Sequence, residues 1–550
     1  TLSVGQLTTG ITIPEWTGVL MLSNLQSAQL YMQAAFRAQN PCLFRKDSMR
    51  KINSYVFDFD PARSLVIYEK FANDLAPGGD SKTNIKKLLD FFPVIAEDDK
   101  GEMTELDSAR VLSIPRRIRA HEIVNSGFMS DFLFVNTGRI FNASDEVIEI
   151  ISKFTPVSKP SKKFLPDIRE LRKIPVDDNG EVFLEDSYVD GVKEKIFGGK
   201  TFGENLTLDI ENQDNLIKIF QDEAVARLVQ TAKNHYGREV NKKLQENLNS
   251  EAAKKINEAF SDFYIKKAKL ENENPEVLEK NFREELKTTL ENFIEDAEKE
   301  TVTSIEKDKF TQEKLTGEEE IKDCLRGFSR TIPAFLMAYG DEKVTLENFD
   351  KIIPDEIFSE VTGITIEEFR RLRDDAKVFA SSEFNDAVKL FLNLRAELAN
   401  YFDEGSTRDI FDYIPAQKTN QIFTPKNIVK EMLDDLENEN PGCFDDPEKT
   451  FIDPYMKSGL FIAGIVTRLY RSEKIKKIYP DKISRLKHIF SEQVYGLAPT
   501  EIIYKIAVNF ILGFDKNSEI KKFNLRKFNA APYVKDGNFE AKLRELFDFK

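Results

Sequence analysis

The strongest constraint on the fold lies after residue 402, where short apolar runs alternate with longer amphipathic segments. Residues 450–454 and 493–497 have the composition of strands, and residues 459–470 and 501–512 have the apolar spacing of helices. A further strand is expected just before Phe528. Because strands that alternate with helices usually form a parallel sheet, this rhythm predicts a doubly wound α/β domain.

The first of these strands ends at Asp453-Pro454, and the helix that follows begins near Ser458-Gly459. Ligands of open α/β sheets bind at the carboxyl ends of the strands. Glycine lets the backbone approach a ligand closely, and a helix N-terminus offers free N–H groups. The corner therefore suits a cofactor, although with these residues alone an ordinary strand–helix turn is the better explanation.

Neighbouring motifs strengthen the cofactor interpretation. In Phe423-Thr424-Pro425 we expect Thr424 to cap a helix whose first residue is Pro425. An F-T-P segment followed by D-P-x-x-x-S-G-x-F resembles the gamma-type N6-adenine DNA methyltransferases. The resemblance implies a Rossmann-like methyltransferase sheet that binds S-adenosylmethionine. The residues that it assigns to this cofactor are Phe423, Thr424, Pro425, Asp453, Pro454, Ser458, Gly459, Phe461, Glu501 and Asn529.

Several positions depart from the family pattern. Lys457 replaces the first glycine of G-S-G, and Ala498 stands where an acid binds ribose. Glu501 could substitute for that acid, or it could be an ordinary acidic residue in the first turn of a helix. Asn529 stands where the family often has Asp. The catalytic Asn-Pro-Pro-Tyr is missing, since the similar run 529–533 lacks the first proline and fits the third motif better. We expect this chain alone to be inactive.

The N-terminal region carries a second resemblance. Gly10-Ile-Thr-Ile-Pro14 is similar to motif V of superfamily 2 helicases, and Gln33 and Arg37 match positions of motif VI. In that family such an arginine reaches the γ-phosphate of ATP between two RecA-like lobes. The alternative is that Arg37 is one surface arginine among many. Because no Walker A sequence is present, ATP and Mg²⁺ are expected only in the complete motor.

Together the two resemblances indicate part of an ATP-dependent restriction–modification enzyme, in which site-specific adenine-N6 methylation is coupled to helicase-like translocation and DNA cleavage. The alternatives are a non-catalytic DNA- or partner-binding protein with a decayed methyltransferase fold, and an interaction subunit built on the helical middle. The predicted organisation is multidomain α/β and α. Its segments are the end of a second RecA-like lobe (1–76), a mixed α/β coupler (77–205), a helical coupler (206–317), a helical N-terminal part of the methyltransferase (318–420) and its cofactor-binding half (421–550).

Composition limits the possible partners and sites. The net charge of −15 argues against a chain that is DNA-binding surface throughout, but leaves room for a local groove that binds double-stranded DNA. The three cysteines and three histidines lie far apart, so we expect neither a metal site nor a disulfide framework. No apolar run of about 18 residues occurs, and we expect a cytoplasmic protein that is not membrane-bound. Whether the chain associates with copies of itself is left open by the sequence. Both ends, at Thr1 and Lys550, read as those of a fragment.

Local patterns add smaller predictions. Residues 18–22 read as a buried strand, 27–39 as a helix, 55–59 as an edge strand and 132–135 as a strand-like piece. The apolar spacing of Ile256, Phe260, Phe263 and Ile265 predicts a shared helix face. Thr365 and Glu368 have the spacing of a capping box.

Overall fold

The computed structural model describes residues 13–22, 28–44, 49–59, 61–75, 81–97, 102–135, 144–157, 174–177, 182–198, 212–237, 242–269, 274–402, 408–416, 423–514 and 519–547. The chain forms two compact units. The first contains Thr1–Val135, Lys153–Val157 and Cys324–Lys550, and the second contains Asn136–Ser152 and Ser158–Asp323. The predicted methyltransferase segment therefore belongs to the same unit as the N-terminal region.

The N-terminal part of the first unit combines two small sheets with helices. Its strands are β1 (Gly18–Met21), β2 (Tyr55–Asp58), β3 (Ile95–Glu97) and β4 (Met103–Glu105). Strands β1 and β2 pair in parallel, and β3 and β4 pair antiparallel. Its helices are α1 (Ala28–Ala35), α2 (Pro61–Leu75), α3 (Ser81–Leu89) and α4 (Ser108–Asn125).

One prediction for this region was wrong. The strand at residues 18–22 is not buried, since Leu20 is 58% exposed and Met21 alone in β1 belongs to the core. The strand-like piece predicted at residues 132–135 is confirmed in part. Its start belongs to a 3-10 turn, Asp131–Leu133, which the Ser130 hydroxyl caps by accepting from the N–H of Phe132, and its end forms an isolated antiparallel bridge between Phe134 and Phe379. The helix predicted over residues 27–39 is confirmed as α1 followed by a 3-10 turn.

The second unit is helical, as predicted for residues 206–312. Its helices are α5 (Asp145–Ser152), α6 (Asp186–Phe197), α7 (Gln213–Phe220), α8 (Ala226–Tyr236), α9 (Lys242–Lys269) and the greater part of α10 (Pro275–Ser329). Ile256, Phe260 and Phe263 lie in its core, but Ile265 is 52% exposed and does not share that face. The ring of Phe263 stacks on Phe282 with centroids 4.2 Å apart.

This unit also buries an acid. Glu298, in α10, is 9% exposed. Burial raises the pKa of its carboxyl to about 7, and the nearby charge of Lys193 opposes the increase. Keeping the ionised carboxylate of Glu298 away from water therefore costs stability.

Residues 324–402 of the first unit form a phenylalanine-rich helical core. Its helices are α11 (Ile332–Tyr339), α12 (Asp355–Thr362), α13 (Ile366–Arg370) and α14 (Ser381–Leu398). The capping box at the start of α13 is confirmed. The N–H of Glu368 donates to the Thr365 hydroxyl over 3.2 Å, and the N–H of Thr365 donates to the Glu368 carboxylate over 2.8 Å.

The last part of the first unit contains strands β5 (Phe451–Asp453), β6 (Val494–Ala498) and β7 (Asn524–Lys527). They form a parallel sheet in that order. Its helices are α15 (Lys426–Glu439), α16 (Leu460–Arg471), α17 (Glu473–Ile478), α18 (Lys482–His488), α19 (Glu501–Leu512), α20 (Ala531–Lys535) and α21 (Phe539–Phe547). The strand–helix rhythm is thus confirmed, while a complete doubly wound sheet stays a prediction.

Helix α19 joins this sheet to the phenylalanine-rich core. The side-chain amide of Asn509 donates to the carbonyls of Met337 (3.1 Å) and Ala338 (2.8 Å) at the C-terminal end of α11. Arg395 of α14 donates to the carbonyls of Leu336 (2.6 Å) and Gly340 (3.0 Å). Burial lowers the pKa of Arg395 to about 10. Side chains thus donate to the carbonyls at this helix end, of which that of Leu336 also accepts from the N–H of Gly340 over 3.1 Å.

Among the residues described, no helix is both long enough and apolar enough to cross a bilayer.

Candidate cofactor site

The carboxyl ends of the three parallel strands meet at one edge of the sheet. Asp453 of β5 pairs in register with Gly496 of β6, and Ala498 pairs with Lys527 of β7. The loop after β5 folds back over the next strand, since the N–H of Met456 donates to the carbonyl of Leu497 over 2.7 Å. This edge is where open α/β sheets bind their ligands.

Asp453 ends β5 at this edge. Its carboxylate accepts a hydrogen bond of 3.0 Å from the N–H of Tyr455, which shapes the turn through Pro454. Burial raises the pKa of Asp453, and the hydrogen bond from Tyr455 opposes the increase. A partly desolvated carboxylate at a strand end would gain from a cationic partner, because the partner would offset the cost of removing its charge from water.

Gly459 and Ser458 form the start of α16. Gly459 has φ +86°, and a Cβ atom there would come within 2.9 Å of Cδ1 of Ile511 in α19. Glycine is therefore required by the left-handed backbone and by the contact with α19. The buried Ser458 hydroxyl accepts a hydrogen bond of 3.3 Å from the N–H of Leu460, and Phe461 is half-buried in the first helical turn.

The F-T-P segment connects to the same turn of α19 through Phe411. The ring of Phe423 packs on Phe411 with centroids 5.0 Å apart, and Phe411 packs edge-on against Phe510 at 4.9 Å. Phe510 precedes Ile511, whose side chain meets Gly459. The structure thus brings two motifs, separated by about thirty residues of sequence, to the last turn of one helix.

The predicted cap at Thr424 was wrong by one position. The N-cap of α15 is the exposed Pro425, whose ψ of 146° is extended, and its side chain makes no capping hydrogen bond. A cap accepts from the N–H groups two or three residues further on, so the hydroxyl of Thr424 stands one residue too early.

Glu501 and Asn529 have local partners. The carboxylate of Glu501, in the first turn of α19, lies 3.5 Å from Nζ of Lys527 at the end of β7. The side chain of Asn529 is exposed and accepts a hydrogen bond of 3.2 Å from the N–H of Ala531, the first residue of the short helix α20, whose N-cap is Ala530. A ribose bound by Glu501 would have to compete with Lys527.

Two further positions bear on the resemblance. Nζ of Lys457, which replaces a family glycine, lies 5.8 Å from the ring centroid of Tyr455. Tyr533 lies in α20, and its ring stacks on Phe528 with centroids 5.0 Å apart. The ring of Tyr533 is therefore already used in a local contact.

The predicted motor residues lie in the N-terminal part of the chain. Gly10 is outside the described residues, Gln33 lies in α1, and Arg37 lies in the following 3-10 turn, where its carbonyl accepts from Asn40 over 3.2 Å. Their roles with ATP stay predictions. Lys51 has a structural role in this part of the chain, because its ammonium donates to the carbonyls of Pro14 (2.8 Å), Trp16 (2.9 Å) and Ala38 (2.8 Å).

Phe411 and Phe510 are residues of this site that sequence reasoning missed. A signal for Phe411 does exist in the sequence, because Asp409 and Asp412 have the spacing of a capping box around it. No local pattern distinguishes Phe510 from the other apolar residues of α19. Of the described residues, no three His, Cys, Asp or Glu side chains are grouped so that they could hold a metal ion.

Comparisons with known proteins give two partial similarities, both to proteins of Mycoplasma pneumoniae. One is an uncharacterized adenine-specific methylase, 29% identical over 98 residues, which are 18% of this chain and 23% of that protein. The other is a putative type II restriction enzyme and methyltransferase C-terminus, 36% identical over 72 residues, which are 13% of this chain and 10% of that protein. The similarity therefore spans less than a quarter of either relative. No family model and no solved structure matches the chain.

Proposed function

We propose that the chain is part of a restriction–modification enzyme that methylates adenine N6 in a specific sequence of double-stranded DNA, and that residues 421–550 bind S-adenosylmethionine. The names of the two relatives support the coarse part of this proposal. The observation that carries the finer part is the last turn of α19, which Phe423 reaches through Phe411 and which Gly459 contacts directly.

The chemistry of this edge suits S-adenosylmethionine. The ionised carboxylate of Asp453 could accept hydrogen bonds from an ammonium group, and Glu501 could accept from ribose hydroxyls once it releases Lys527. Phe423 offers an apolar wall. When bound, the cofactor supplies the methyl group, and the target adenine must leave the duplex to reach it. Because Asn-Pro-Pro-Tyr does not occur in these 550 residues, we assign to them cofactor binding and not the transfer step.

We further propose a coupling of methylation to ATP-driven DNA translocation and to cleavage. Its support is the sequence resemblance at Gly10, Gln33 and Arg37 alone. ATP and Mg²⁺ would act in the complete motor, since the sequence contains no Walker A motif.

The test is isothermal titration calorimetry of the chain with S-adenosylmethionine. Asp453→Asn removes the negative charge but keeps an acceptor for the N–H of Tyr455. The matched control is Asp446→Asn, because the exposed Asp446 makes the same kind of turn, accepting from the N–H of Glu448 over 2.9 Å before β5 begins. We expect Asp453→Asn to raise the Kd by about tenfold or more and the control to leave it unchanged.

The alternative is a decayed methyltransferase fold that binds DNA or a protein without a cofactor. Lys457, Ala498 and the ion pair between Glu501 and Lys527 favour it. Absence of any heat of binding with S-adenosylmethionine, together with a mobility shift of duplex DNA by the same preparation, would support this alternative and refute the cofactor proposal.

A further inference from the structure

Phe411, which belongs to none of the methyltransferase motifs, lies at the centre of an aromatic cluster. Its ring is 7% exposed and contacts Phe423 on one side and Phe510 on the other, with interplanar angles of 53° and 69°. Such tilted and edge-on pairs are favoured arrangements of aromatic rings. The cluster therefore connects the F-T-P segment to the buried helix α19.

Phe411 is held in place independently of Phe423. It lies in the 3-10 turn Ile410–Tyr413, where the N–H of Phe411 donates to the carboxylate of Asp409 over 3.1 Å. The N–H of Asp409 donates in turn to the carboxylate of Asp412 over 3.0 Å. These reciprocal bonds make the turn a rigid base from which the ring projects.

The F-T-P segment has weaker local support. Its helix, α15, begins without a side-chain cap, and Pro425 is exposed. The aromatic contact described for Phe423 is the one with Phe411. A segment with little intrinsic support depends on tertiary contacts for its conformation.

We propose that Phe411 is a positioning residue for S-adenosylmethionine. It connects Phe423 to the turn of α19 that packs on Gly459, so that both motifs are ready to receive the cofactor. The inference rests on the proposed function. Loss of the ring would lower the fraction of molecules that can bind, and the apparent Kd rises in inverse proportion to that fraction.

The experiment compares Phe411→Ala and the conservative Phe411→Leu with the wild-type chain by calorimetry with S-adenosylmethionine. The matched control is Phe444→Ala. Phe444 is 4% exposed, and its ring stacks on Phe451 at the start of β5 with centroids 5.0 Å apart. We expect Phe411→Ala to raise the Kd about tenfold, equivalent to about 1.4 kcal/mol, and Phe411→Leu to raise it less. The control should lose stability but keep its affinity.

A second measurement needs no cofactor. The N–H of Val429 donates to the carbonyl of Pro425 over 3.1 Å in the first turn of α15. We expect hydrogen exchange at Val429 to accelerate in Phe411→Ala and to stay unchanged in Phe444→Ala. This readout reports the position of the F-T-P segment itself.

The outcomes separate the two proposals. If the wild-type chain binds S-adenosylmethionine and both Phe411 variants bind it equally well, the positioning role is overturned and the proposed function stands. If the wild-type chain does not bind the cofactor, the proposed function fails and the positioning role fails with it. Unchanged exchange at Val429 in Phe411→Ala also overturns the inference.

Discussion

Asp453→Asn should make the protein more stable at neutral pH while weakening its binding of S-adenosylmethionine. The substitution keeps the size of the side chain and an oxygen that can accept from the N–H of Tyr455, but removes the charge. Burial raises the pKa of Asp453, which means that the folded state disfavours the ionised form. The carboxyl therefore costs stability wherever it is ionised, and the amide does not.

The sign and size of the effect follow from proton linkage. Because the pKa is higher in the folded state, the stability associated with the carboxyl is complete below its unfolded pKa, about 3.9, and is lost as the pH rises through its folded pKa. We expect the free energy of unfolding of Asp453→Asn to exceed that of the wild type by on the order of 1 kcal/mol at about pH 7, the usual size of a single-substitution effect, and the gain to vanish near about pH 4.

Urea unfolding followed by circular dichroism between about pH 4 and about pH 8 measures this difference. Asp446→Asn serves as the control, since Asp446 is exposed and should change stability by less than about 0.5 kcal/mol. An Asp453→Asn protein that is less stable than the wild type at neutral pH, or a gain that does not depend on pH, would refute the reasoning. Higher stability with weaker binding would instead be the expected trade-off at a functional site.

Three further substitutions test the packing within each of the two units. Gly459→Ala should lower the free energy of unfolding by about 2–4 kcal/mol, because it adds a clash with Ile511 to the strain of the left-handed backbone. In the control Gly442→Ala, where φ is +74° and the space around the residue is open, the loss should be about 1–2 kcal/mol. Glu298→Gln should remove a loss of stability that the wild type shows as the pH rises through about 7, where burial places the pKa of this carboxyl. Asn509→Ala should cost about 1–3 kcal/mol, since it leaves two buried carbonyls without their donor.

Urea unfolding measures all three, and each has an outcome that would contradict it. Equal losses in Gly459→Ala and Gly442→Ala would show that the contact with α19 is not tight. A pH dependence that persists in Glu298→Gln would assign it to another group. For Asn509→Ala the control is Asn440→Ala, which removes an exposed hydrogen bond to Leu436, and equal effects of the two would mean that water replaces the lost donor in both.

Elements with a strong local signal were predicted well. The helix predicted over residues 501–512 has those bounds in the structure, and the strand–helix alternation after residue 450 is confirmed. The capping box at Thr365 formed as its spacing indicated. In each case the hydrophobic period or the capping hydrogen bonds involve only neighbouring residues. The local sequence therefore contains the information that forms the element.

Tertiary structure overrode weaker local signals. The apolar run at residues 132–135 forms no full strand: its first residues belong to the 3-10 turn that Ser130 caps, and Phe134 makes an isolated bridge with the distant Phe379. Ile265 continues an apolar pattern in α9 but points away from the core. Short apolar runs are ambiguous, because burial depends on what packs against them and not on their own period.

The sequence by itself determined the strand ends to within about one residue: strands predicted over 450–454 and 493–497 and just before Phe528 end at Asp453, Ala498 and Lys527. Only the tertiary structure decided their partners. Glu501 meets Lys527, Gly459 meets Ile511, and Phe411 joins Phe423 to Phe510. These contacts link residues that are distant in sequence, and their geometry depends on how α19 packs against the sheet. A local pattern carries no record of that packing, because side-chain contacts across elements form only when the whole unit closes.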